Sequence, residues 1–519
     1  MCRSQGTPRW EPCRRAPGRQ ARPAQCTAPT GGRGMLALMG GRSTRAIMKR
    51  KPGSDDVIEK LWDGAATRKL ARQFAEIAVD ALLGKGGAVR QPRSATIASQ
   101  LVRGTRRSRS AAQLVQQTQR LSLQLAHPRY LAQQVAAPIP MAALVESVVA
   151  AMNQSLAVWE MSPIATVIDR QLMTRFKRLF GYPDEAEGTL VPGGAFGNLT
   201  ALLAAREALG SRAVRKVASR LAVIVGAHAH YSVARAAAIL GMGRDSVFPV
   251  PVDDQYRTDS ARVPEAFARA RRAGFRRFVL VASAGSTPTG SFDQIDVLHR
   301  EAARHGAWFH VDAAHGAALA FSRRLRRRVN GIGLADSIAF DPHKMMFMPL
   351  SASGVLVRDG SRLARPLAER APYLFGAERR WPDIGQFTIA CSQRFDALKI
   401  WLVWQSHGAQ VWDALVTHAC AVCGAAYRYC AASRILEPVH EPHSNILCFR
   451  LRQRSGKDPS RIHWKIKEQL NESGYGYISS TVLEGRRVLR LVVMNPRTQR
   501  ADVEDVLKRI ERIARARRT

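Results

Sequence analysis

The sequence is poor in acidic residues and in lysine. Its 519 residues include 41 Asp and Glu against 79 Lys and Arg, which gives a formal net charge of +38. Only 13 of these cations are lysine, and the arginines are spread along the whole chain. A surface built for nucleic acid concentrates its cations in a patch or stripe. The scattered charge therefore favours a general bias toward arginine, and we expect no nucleic-acid partner.

Long apolar runs are also missing. No run approaches the roughly 20 apolar residues that span a bilayer, so we predict neither a transmembrane helix nor a membrane partner. Arginines interrupt the N-terminus from Arg3 to Arg22 before any apolar stretch, which argues against a secretory signal. These features predict a cytoplasmic protein.

Cysteine is scarce as well. The eight cysteines are too few and too scattered for a disulfide framework, which favours a reducing compartment. Cys420 and Cys423 have the spacing of half a zinc site, but no second pair lies at the required distance. We therefore expect no metal and interpret this pair as small core residues of a helix.

The chain is long enough for two or three compact units or for one large α/β subunit. We predict a disordered basic extension at 1–50, a helical segment at 51–150, a large α/β domain at 151–425 and a small α+β domain at 426–519. The first segment has eleven Arg and Lys against one Glu and no hydrophobic period, so it cannot bury enough apolar area to fold. Met35 or Met48 could equally be the start codon, and a basic tail that contacts an anionic partner is the less favoured alternative.

Short β-branched runs alternate with helical stretches through the large domain. The runs are Leu221–Val225, Val247–Val250, Phe278–Ala282, Trp308–Val311, Ser337–Phe340 and Gly354–Val357. This alternation predicts a mostly parallel, doubly wound sheet. Ligands in such sheets bind beyond the carboxyl ends of the strands, so polar residues directly after each run are candidates for a site. The small domain is predicted to hold strands at Asn445–Leu451 and Val488–Met494 and helices at Ile462–Leu470 and from Ala501.

Asp312 and Lys344 are the most informative residues of this kind. Each follows a predicted strand, so both are expected at one edge of the sheet. An aspartate there can pair with a protonated ring nitrogen, and a lysine can form an imine with an aldehyde. These are the two requirements of a pyridoxal phosphate site. Taken alone, Asp312 could equally cap a turn, and Lys344 could be a solvated loop lysine.

The sequence around this pair resembles the group II pyridoxal-phosphate-dependent amino acid decarboxylases, such as glutamate and diaminobutyrate decarboxylases. The similarity runs from about His127 to Pro496, and nine motifs occur in the order of the family. They are His127–Tyr130, Asn153–Ser155, Gly193–Ala195, Ala229–Ser232, Gly285–Thr287, Asp312, Lys344, Arg394–Lys399 and Leu489–Pro496. The resemblance implies a fold-type-I homodimer with sites at the subunit interface. It also implies α-decarboxylation of an L-amino acid to an amine and carbon dioxide.

The resemblance assigns roles to individual residues. Lys344 would bind the cofactor aldehyde, and Asp312 would hold the pyridinium proton. His230 would stack on the ring and transfer protons, with His228 as its competitor. Arg490 matches an arginine that grips a substrate carboxylate, although it could be an ordinary strand-end arginine. Further cofactor contacts are expected at Thr287 and Ala314 against the ring, and at Phe196, Gly197, Asn198, Asp341 and His343 near the phosphate.

Two features depart from the family pattern. Gly197 stands where the family usually has a phosphate-binding serine. The loop between Tyr373 and Cys391 lacks the tyrosine that protonates the carbanion, so His230 or another group has to deliver that proton. An aldehyde synthase or a carbon–carbon lyase therefore stays open. A non-catalytic homologue that binds anionic partners through its arginines is the alternative from another class.

The substrate is open at this point. Arg490 favours an acidic amino acid, whereas the motif Arg394–Lys399 is closer to the diaminobutyrate branch.

Overall fold

The computed structural model describes residues 61, 63–84, 89, 110–210, 221–369, 371, 374–375, 381–452 and 460–516. Residues Gly64–Thr519 form one compact unit, and the extension predicted at 1–50 lies outside the described residues. The α-helices are α1 (Gly64–Leu82), α2 (Ala111–Leu121), α3 (Pro140–Met152), α4 (Pro163–Phe180), α5 (Gly194–Leu209), α6 (Ser232–Ile239), α7 (Val263–Arg272), α8 (Ile295–Arg304), α9 (Gly360–Ala364), α10 (Ala397–His407), α11 (Gln410–Ala432), α12 (Ser460–Ser473) and α13 (Arg500–Ala516). The β-strands are β1 (Tyr130–Leu131), β2 (Glu187–Val191), β3 (Leu221–Gly226), β4 (Val247–Val250), β5 (Arg277–Ser283), β6 (Trp308–Ala313), β7 (Ser337–Phe340), β8 (Ser353–Val357), β9 (Leu436–Pro438), β10 (Ile446–Leu451), β11 (Tyr477–Leu483) and β12 (Arg486–Val492).

A seven-stranded sheet with the order β2-β8-β7-β6-β5-β3-β4 forms the centre of the fold. The strands β3 to β7 run parallel to one another, and β8 is antiparallel to both β7 and β2. Ala222 and Ile224 of β3 face one hydrophobic core, whereas Val223 and Val225 face another. Helices α4, α7 and α8 cover the first face, and α5, α6 and α9 cover the second. This arrangement confirms the predicted doubly wound sheet.

A five-stranded sheet with the order β1-β11-β12-β10-β9 lies in the C-terminal part of the chain. Its pairs are antiparallel except for β1, which runs parallel to β11. Because β1 comes from the predicted helical segment, that segment contributes a strand to the C-terminal sheet. The domain boundaries at 150 and 425 stay predictions.

The six predicted runs of the large domain coincide with β3 to β8 to within two residues at each end. The strands β1, β2, β9 and β11 were not predicted from the pattern. The sequence of β2 contains Glu187, Gly188 and Thr189, and β2 lies at the edge of its sheet. A polar edge strand lacks the β-branched run that identifies a buried one.

The paired cysteines lie on α11 and belong to the core. Cys423 is fully buried, and Cys420 packs against the same hydrophobic cluster. Burial raises the pKa of Cys420 to about 12, so its thiol stays protonated. None of the described helices is long and apolar enough to cross a membrane.

Candidate active site

A cavity of about 280 Å³ lies at the carboxyl ends of β5, β6 and β7 and at the start of α5. The register of the sheet explains its position, because Ser283, Asp312 and Ala339 are neighbours on these three strands. Side chains at the ends of the strands, and in the turns that follow, therefore converge at one edge. The cavity is lined by Pro192, Gly193, Gly194, Ala195, Asn198, His230, Ser283, Gly285, Ser286, Thr287, Asp312, Ala314, His315, Asp341, His343, Lys344 and Leu350.

The start of α5 forms one wall of this cavity. Gly193 precedes the helix and makes no side-chain cap, and the first backbone N–H groups of a helix have no acceptor within it. A Cβ atom at Gly194 would lie 2.7 Å from Asp341 Oδ2 and 3.1 Å from Ala314 Cβ, so only glycine fits there. The exposed N–H groups and the helix dipole make this wall suitable for an anion.

Asn198 connects the polar side chains of the cavity. Its Nδ2 donates to Asp312 Oδ2 at 2.9 Å and to Ser232 Oγ at 2.8 Å. Its Oδ1 lies 3.0 Å from His310 Nε2. Because both N–H groups of Asn198 have acceptors, Oδ1 accepts from His310, and His310 is neutral with its proton on Nε2. Burial lowers the pKa of His310 and favours this neutral form.

Asp312 is buried beside Asn198, and both of its oxygens have donors. Oδ2 accepts from Asn198, and Oδ1 accepts from the backbone N–H of Ala314 at 3.1 Å. These two bonds fix the orientation of the carboxylate at the end of β6. A cationic ring nitrogen would find a preorganised acceptor at this position.

His230 lies between β3 and α6, and its ring lines the cavity. Its Nδ1 accepts from the Ser232 backbone N–H at 3.3 Å and lies 2.7 Å from Ser232 Oγ. Because Nδ1 is the acceptor, the proton of the neutral ring is on Nε2. Burial lowers the pKa of His230 and favours this neutral form. His228 does not line the cavity, and its ring stacks on Tyr256 with 5.7 Å between centroids.

Lys344 follows β7 on a tight turn. Its backbone N–H donates to the carbonyl of Asp341, and its Nζ lies 3.1 Å from Asp341 Oδ2. His343 is held in the same turn by a contact of 2.7 Å between Nδ1 and the carbonyl of Ala352. The buried run Met345–Met348 anchors the turn in the core. Lys344 is therefore a fixed cavity residue, with a side chain 20% exposed, and not a solvated loop lysine.

Arg490 on β12 does not line the cavity. It lies one layer behind Thr287, and its guanidinium donates to the carbonyls of Thr287 and Pro288 at 2.8 and 2.9 Å. It also donates to the carbonyl of Ala132 and to Ser479 Oγ. Burial lowers the pKa of Arg490, and among the described residues no carboxylate lies within ion-pair distance of it.

Phe196 and Gly197 do not reach the cavity either. Phe196 is 45% exposed. A Cβ at Gly197 would lie 3.0 Å from Ala339 Cβ and 3.5 Å from the carbonyl of Gly354, so it would face the sheet. This geometry corrects the expected consequence of the missing serine, because a hydroxyl at position 197 would point away from the anion-binding wall.

His315 is a cavity residue to which sequence reasoning gave no role. Its Nε2 lies 2.7 Å from Asn445 Oδ1, and Asn445 Nδ2 donates to the carbonyl of Val493. This orientation makes Asn445 Oδ1 the acceptor and places the His315 proton on Nε2. Burial, with help from Lys344, lowers the pKa of His315 to about 3. His315 therefore joins the cavity wall to the C-terminal sheet as a neutral ring.

Ser232 and His310 were also given no role from the sequence. His310 was foreseeable, since it lies two residues before Asp312 on β6 and thus faces the same side of the sheet. Ser232 stands two residues after His230, but the contact depends on the turn between β3 and α6.

The arrangement fits the cofactor that the sequence resemblance implies. The glycine start of α5 can hold a phosphate, Asp312 can pair with a ring nitrogen, and Lys344 Nζ can react with an aldehyde in the same cavity. Asp341 Oδ1 is buried beside Gly194 and has no hydrogen-bond partner among the described residues. A ligand in the cavity could supply that missing partner.

Residues 113–452 match the family model described as the pyridoxal-dependent decarboxylase conserved domain. The L-2,4-diaminobutyrate decarboxylase of Rhizobium meliloti (strain 1021) is 33% identical over 394 residues, which cover 75% of this chain and 78% of that protein. The cysteine sulfinic acid decarboxylase of Mus musculus is 30% identical over 413 residues, which cover 75% and 83%. An acidic amino acid decarboxylase of Xenopus tropicalis is 29% identical over 78% of this chain and 82% of its own.

Solved structures show the same similarity. The crystal structure of mouse CSAD matches with a TM-score of 0.80 and 27% identity over 87% of this chain and 99% of that chain. Oryza sativa TDC with PLP and tryptamine matches with a TM-score of 0.77 over 89% and 98%. At 22% identity, this second match shows the fold alone.

Proposed function

Because the chain belongs to the pyridoxal-dependent decarboxylase family, we propose that the cavity around Asp312 and Lys344 is its active site. The activity of the chain is the pyridoxal-phosphate-dependent decarboxylation of an amino acid to the corresponding amine. The observation that supports this site is the meeting of an oriented aspartate, a lysine and an anion-binding helix start in one cavity. The aspartate lies on β6, the lysine follows β7, and the helix start belongs to α5.

Individual residues have separate tasks in this proposal. Gly193–Ala195 would hold the phosphate, Asp312 would hold the ring nitrogen, and the amine of Lys344 would bind the aldehyde carbon. When bound, the cofactor would supply the electron sink that decarboxylation requires. Asn198 keeps Asp312 in place and ties it to His310 and Ser232, so the acceptor of the ring proton cannot turn away.

His230 delivers the proton that completes the reaction in this proposal. Its Nε2 carries a proton, its Nδ1 is fixed by Ser232, and its ring forms part of the cavity wall. The ring has to gain a second proton, from substrate or solvent, before Nε2 donates one, and Ser232 Oγ can then accept from Nδ1. Because burial lowers the pKa of His230, the imidazolium gives up that proton readily and returns to the neutral form. The sequence of the loop at 373–391 contains no tyrosine after Tyr373 that would compete for this role.

An acidic amino acid is the substrate class that the charges of the site favour. In this proposal Asp312 is taken up by the ring nitrogen, and Asp341 lies at the phosphate end of the cavity beside Gly194, so neither is placed to bind an extra ammonium group. Behind Thr287 lies the buried cation of Arg490, which has no carboxylate partner among the described residues. A substrate carboxylate near this wall would be attracted to it.

The motif that pointed to diaminobutyrate has a structural task instead. Lys399 is fully buried, and its Nζ lies 2.7 Å from Glu146 Oε1 and 3.0 Å from Asp396 Oδ1. Arg394 pairs with the same two carboxylates. The cluster joins α10 to α3 outside the cavity, so it gives no information about the substrate. The relative from Rhizobium meliloti keeps diaminobutyrate as the second candidate.

We also infer a homodimer, as the family resemblance implies. The side chains of Leu144, Val148 and Met152 form an exposed apolar stripe along α3. These residues recur every four positions and therefore lie on one face of the helix. Phe196 and Tyr231, next to cavity residues, are exposed as well. A second copy that covers these groups would complete the cavity edge. A cytoplasmic location also stays a prediction from the sequence.

Absorbance spectroscopy tests the site directly. Purified protein incubated with pyridoxal phosphate should develop a visible imine band, and Lys344→Ala should remove it. Lys508→Ala, which removes an exposed lysine on α13, is the matched control and should keep the band. A band of equal intensity in Lys344→Ala would contradict the proposed site.

A substrate panel tests the reaction. Headspace carbon dioxide should be released from aspartate, glutamate or cysteine sulfinate faster than from 2,4-diaminobutyrate or aromatic amino acids. Faster release from diaminobutyrate would refute the acidic class. Hydrogen peroxide formed with carbon dioxide would indicate an aldehyde synthase, and turnover without carbon dioxide would indicate a carbon–carbon lyase. Salt-sensitive binding to generic DNA, without turnover of any amino acid, would support the non-catalytic alternative.

A further inference from the structure

Asp341 is an unusual neighbour for an anion-binding wall. Its side chain is 2% exposed, and its Oδ2 lies 3.1 Å from Lys344 Nζ and 3.6 Å from His343 Nε2. Its Oδ1 is buried and has no hydrogen-bond partner in the part of the chain that the structure describes. A buried carboxylate oxygen without a hydrogen-bond partner is energetically unfavourable. A proton placed between this oxygen and an acceptor would provide the missing hydrogen bond.

The carboxyl group lies against the start of α5. A Cβ atom at Gly194 would lie 2.7 and 2.9 Å from the two oxygens of Asp341, so the group occupies the space next to the free N–H groups. A phosphate bound at Gly193–Ala195 would come close to this carboxyl. Two anions at one helix start repel each other, and a proton shared between them would relieve this repulsion and give Asp341 Oδ1 a partner.

We propose that Asp341 and the phosphate of the cofactor bind each other through one shared proton, which lies between Asp341 Oδ1 and a phosphate oxygen. Oδ2 stays next to Lys344 and His343. A ligand without an aldehyde forms no covalent bond to Lys344, so the proton that binds with such a ligand comes from solvent. The proposal rests on the cavity being the cofactor site. It adds that a phosphate ester binds together with one proton.

Other groups near this turn set the conditions for the test. Lys344 and His343 lie on the same turn, His230 faces it from the start of α6, and Asp312 faces it from β6. His343 is the competing proton acceptor, because its Nε2 lies beside Asp341 Oδ2. Burial lowers the pKa of His343, which opposes its protonation. A variant that removes only the charge of Asp341 therefore shows whether proton uptake depends on Asp341 or on His343.

Calorimetry with an unreactive ligand provides the test. The ligand is deoxypyridoxine phosphate, which has the ring and the phosphate but no aldehyde. Its phosphate is a dianion above about pH 7, so the ligand charge is constant from there to about pH 9. Titrations of cofactor-free protein in buffers of different ionisation enthalpy then count the protons that bind with the ligand.

The wild-type protein should take up about one proton per ligand, so its Kd should rise by roughly tenfold per pH unit between about pH 7 and pH 9. Asp341→Asn keeps a hydrogen-bond donor but has no carboxyl group that ionises, so its Kd should vary little with pH. Asp341→Ala removes both charge and donor, so it should bind more weakly than Asp341→Asn at every pH. Asp359→Asn, which removes an exposed carboxylate at the start of α9, is the control and should behave like wild type.

Several results would overturn the proposal. If Asp341→Asn still takes up one proton, the proton resides on His343 or elsewhere. Should the Asn variant fail to fold, the wild-type count and the Ala variant decide, and a wild-type count near zero refutes the idea. Protein that binds no ligand at any pH would instead contradict the proposed active site, so the two failures are distinguishable.

Discussion

Asn198 Nδ2 donates a hydrogen bond of 2.9 Å to Asp312 Oδ2, across 114 residues of sequence. The donor lies in the first turns of α5, the helix whose start forms the anion-binding wall, and the acceptor lies at the end of β6. One asparagine thus links the proposed phosphate end of the site to its ring-nitrogen end. The same side chain accepts from His310 and donates to Ser232, so Asn198 connects three polar side chains at the site.

The Asn198→Ala variant should lose both stability and cofactor affinity. It removes one buried hydrogen-bond partner from Asp312 Oδ2 and one from His310 Nε2, and each such loss costs about 1–3 kcal/mol. Chemical unfolding measures the first effect, and cofactor titration by visible absorbance measures the second. Asn471→Ala is the matched control, because Asn471 is a buried asparagine that bonds the backbone of Ile478 outside the cavity. It should lose stability but keep cofactor affinity. Equal cofactor affinity in wild type and Asn198→Ala would contradict the proposal that Asn198 holds Asp312 in place for the cofactor.

The His230→Gln variant should retain the cofactor but lose turnover. Glutamine preserves a hydrogen-bonding group beside Ser232 but cannot transfer a proton, so kcat should fall by roughly 10²–10⁴-fold. The visible band should remain within experimental error of wild type. His228→Gln, which alters the ring stacked on Tyr256 outside the cavity, should leave kcat nearly unchanged. If both variants lose turnover equally, the proton donor has to be sought elsewhere.

The sequence predicted the parts of the site that follow from strand order. Asp312 and Lys344 each follow a β-branched run, and parallel strands bring such residues to one edge. The structure places both in one cavity. Asn198 was predicted near the phosphate, and its side chain instead contacts Asp312, because the helix turns it toward β6. A spacing along the chain cannot specify that direction.

Other features depend on contacts between distant segments and could not be predicted from the pattern. Gly197 faces Ala339 because of how α5 lies on the sheet. The bond between His315 and Asn445 joins residues 130 positions apart. Arg490 reaches Thr287 across two sheets. In each case the motif gave the residue type, and the packing of separate elements decided what it touches.

The histidine at position 315 should make stability sensitive to acid. Its pKa in the folded protein is lowered from the ordinary 6.5 to about 3, so the folded state resists a proton that the unfolded state accepts. Its contribution is complete above about pH 6.5 and declines as the pH falls toward 3, by at most about 1.4 kcal/mol per pH unit. The free energy of unfolding of His315→Gln should therefore fall less steeply than that of wild type between about pH 6 and pH 4. Parallel curves for the two proteins would exclude this contribution.

The Arg490→Lys variant should show whether substrate binding depends on the charge at position 490 or on the hydrogen bonds of the guanidinium. Lysine keeps a cation but cannot bond the carbonyls of Thr287, Pro288 and Ala132 together, so the loop that lines the cavity loses support. KM for an acidic amino acid should rise by roughly tenfold, and a neutral variant, Arg490→Gln, should raise it further. Steady-state kinetics at matched cofactor saturation measures both values. Equal KM values for the two variants would show that the charge has no part in substrate binding.

The exposed stripe on α3 should determine the assembly state. Val148 is 49% exposed between Leu144 and Met152, and a carboxylate in a dimer interface is unfavourable without a partner. Val148→Asp should therefore shift the protein toward monomer, whereas Val482→Asp should not, because it alters a valine of similar exposure on β11. Light scattering coupled to size exclusion at several concentrations measures the mass of each variant. If the sites lie at the subunit interface, turnover should fall with the dimer fraction of Val148→Asp. A monomeric wild type with full turnover would refute both the dimer and the shared site.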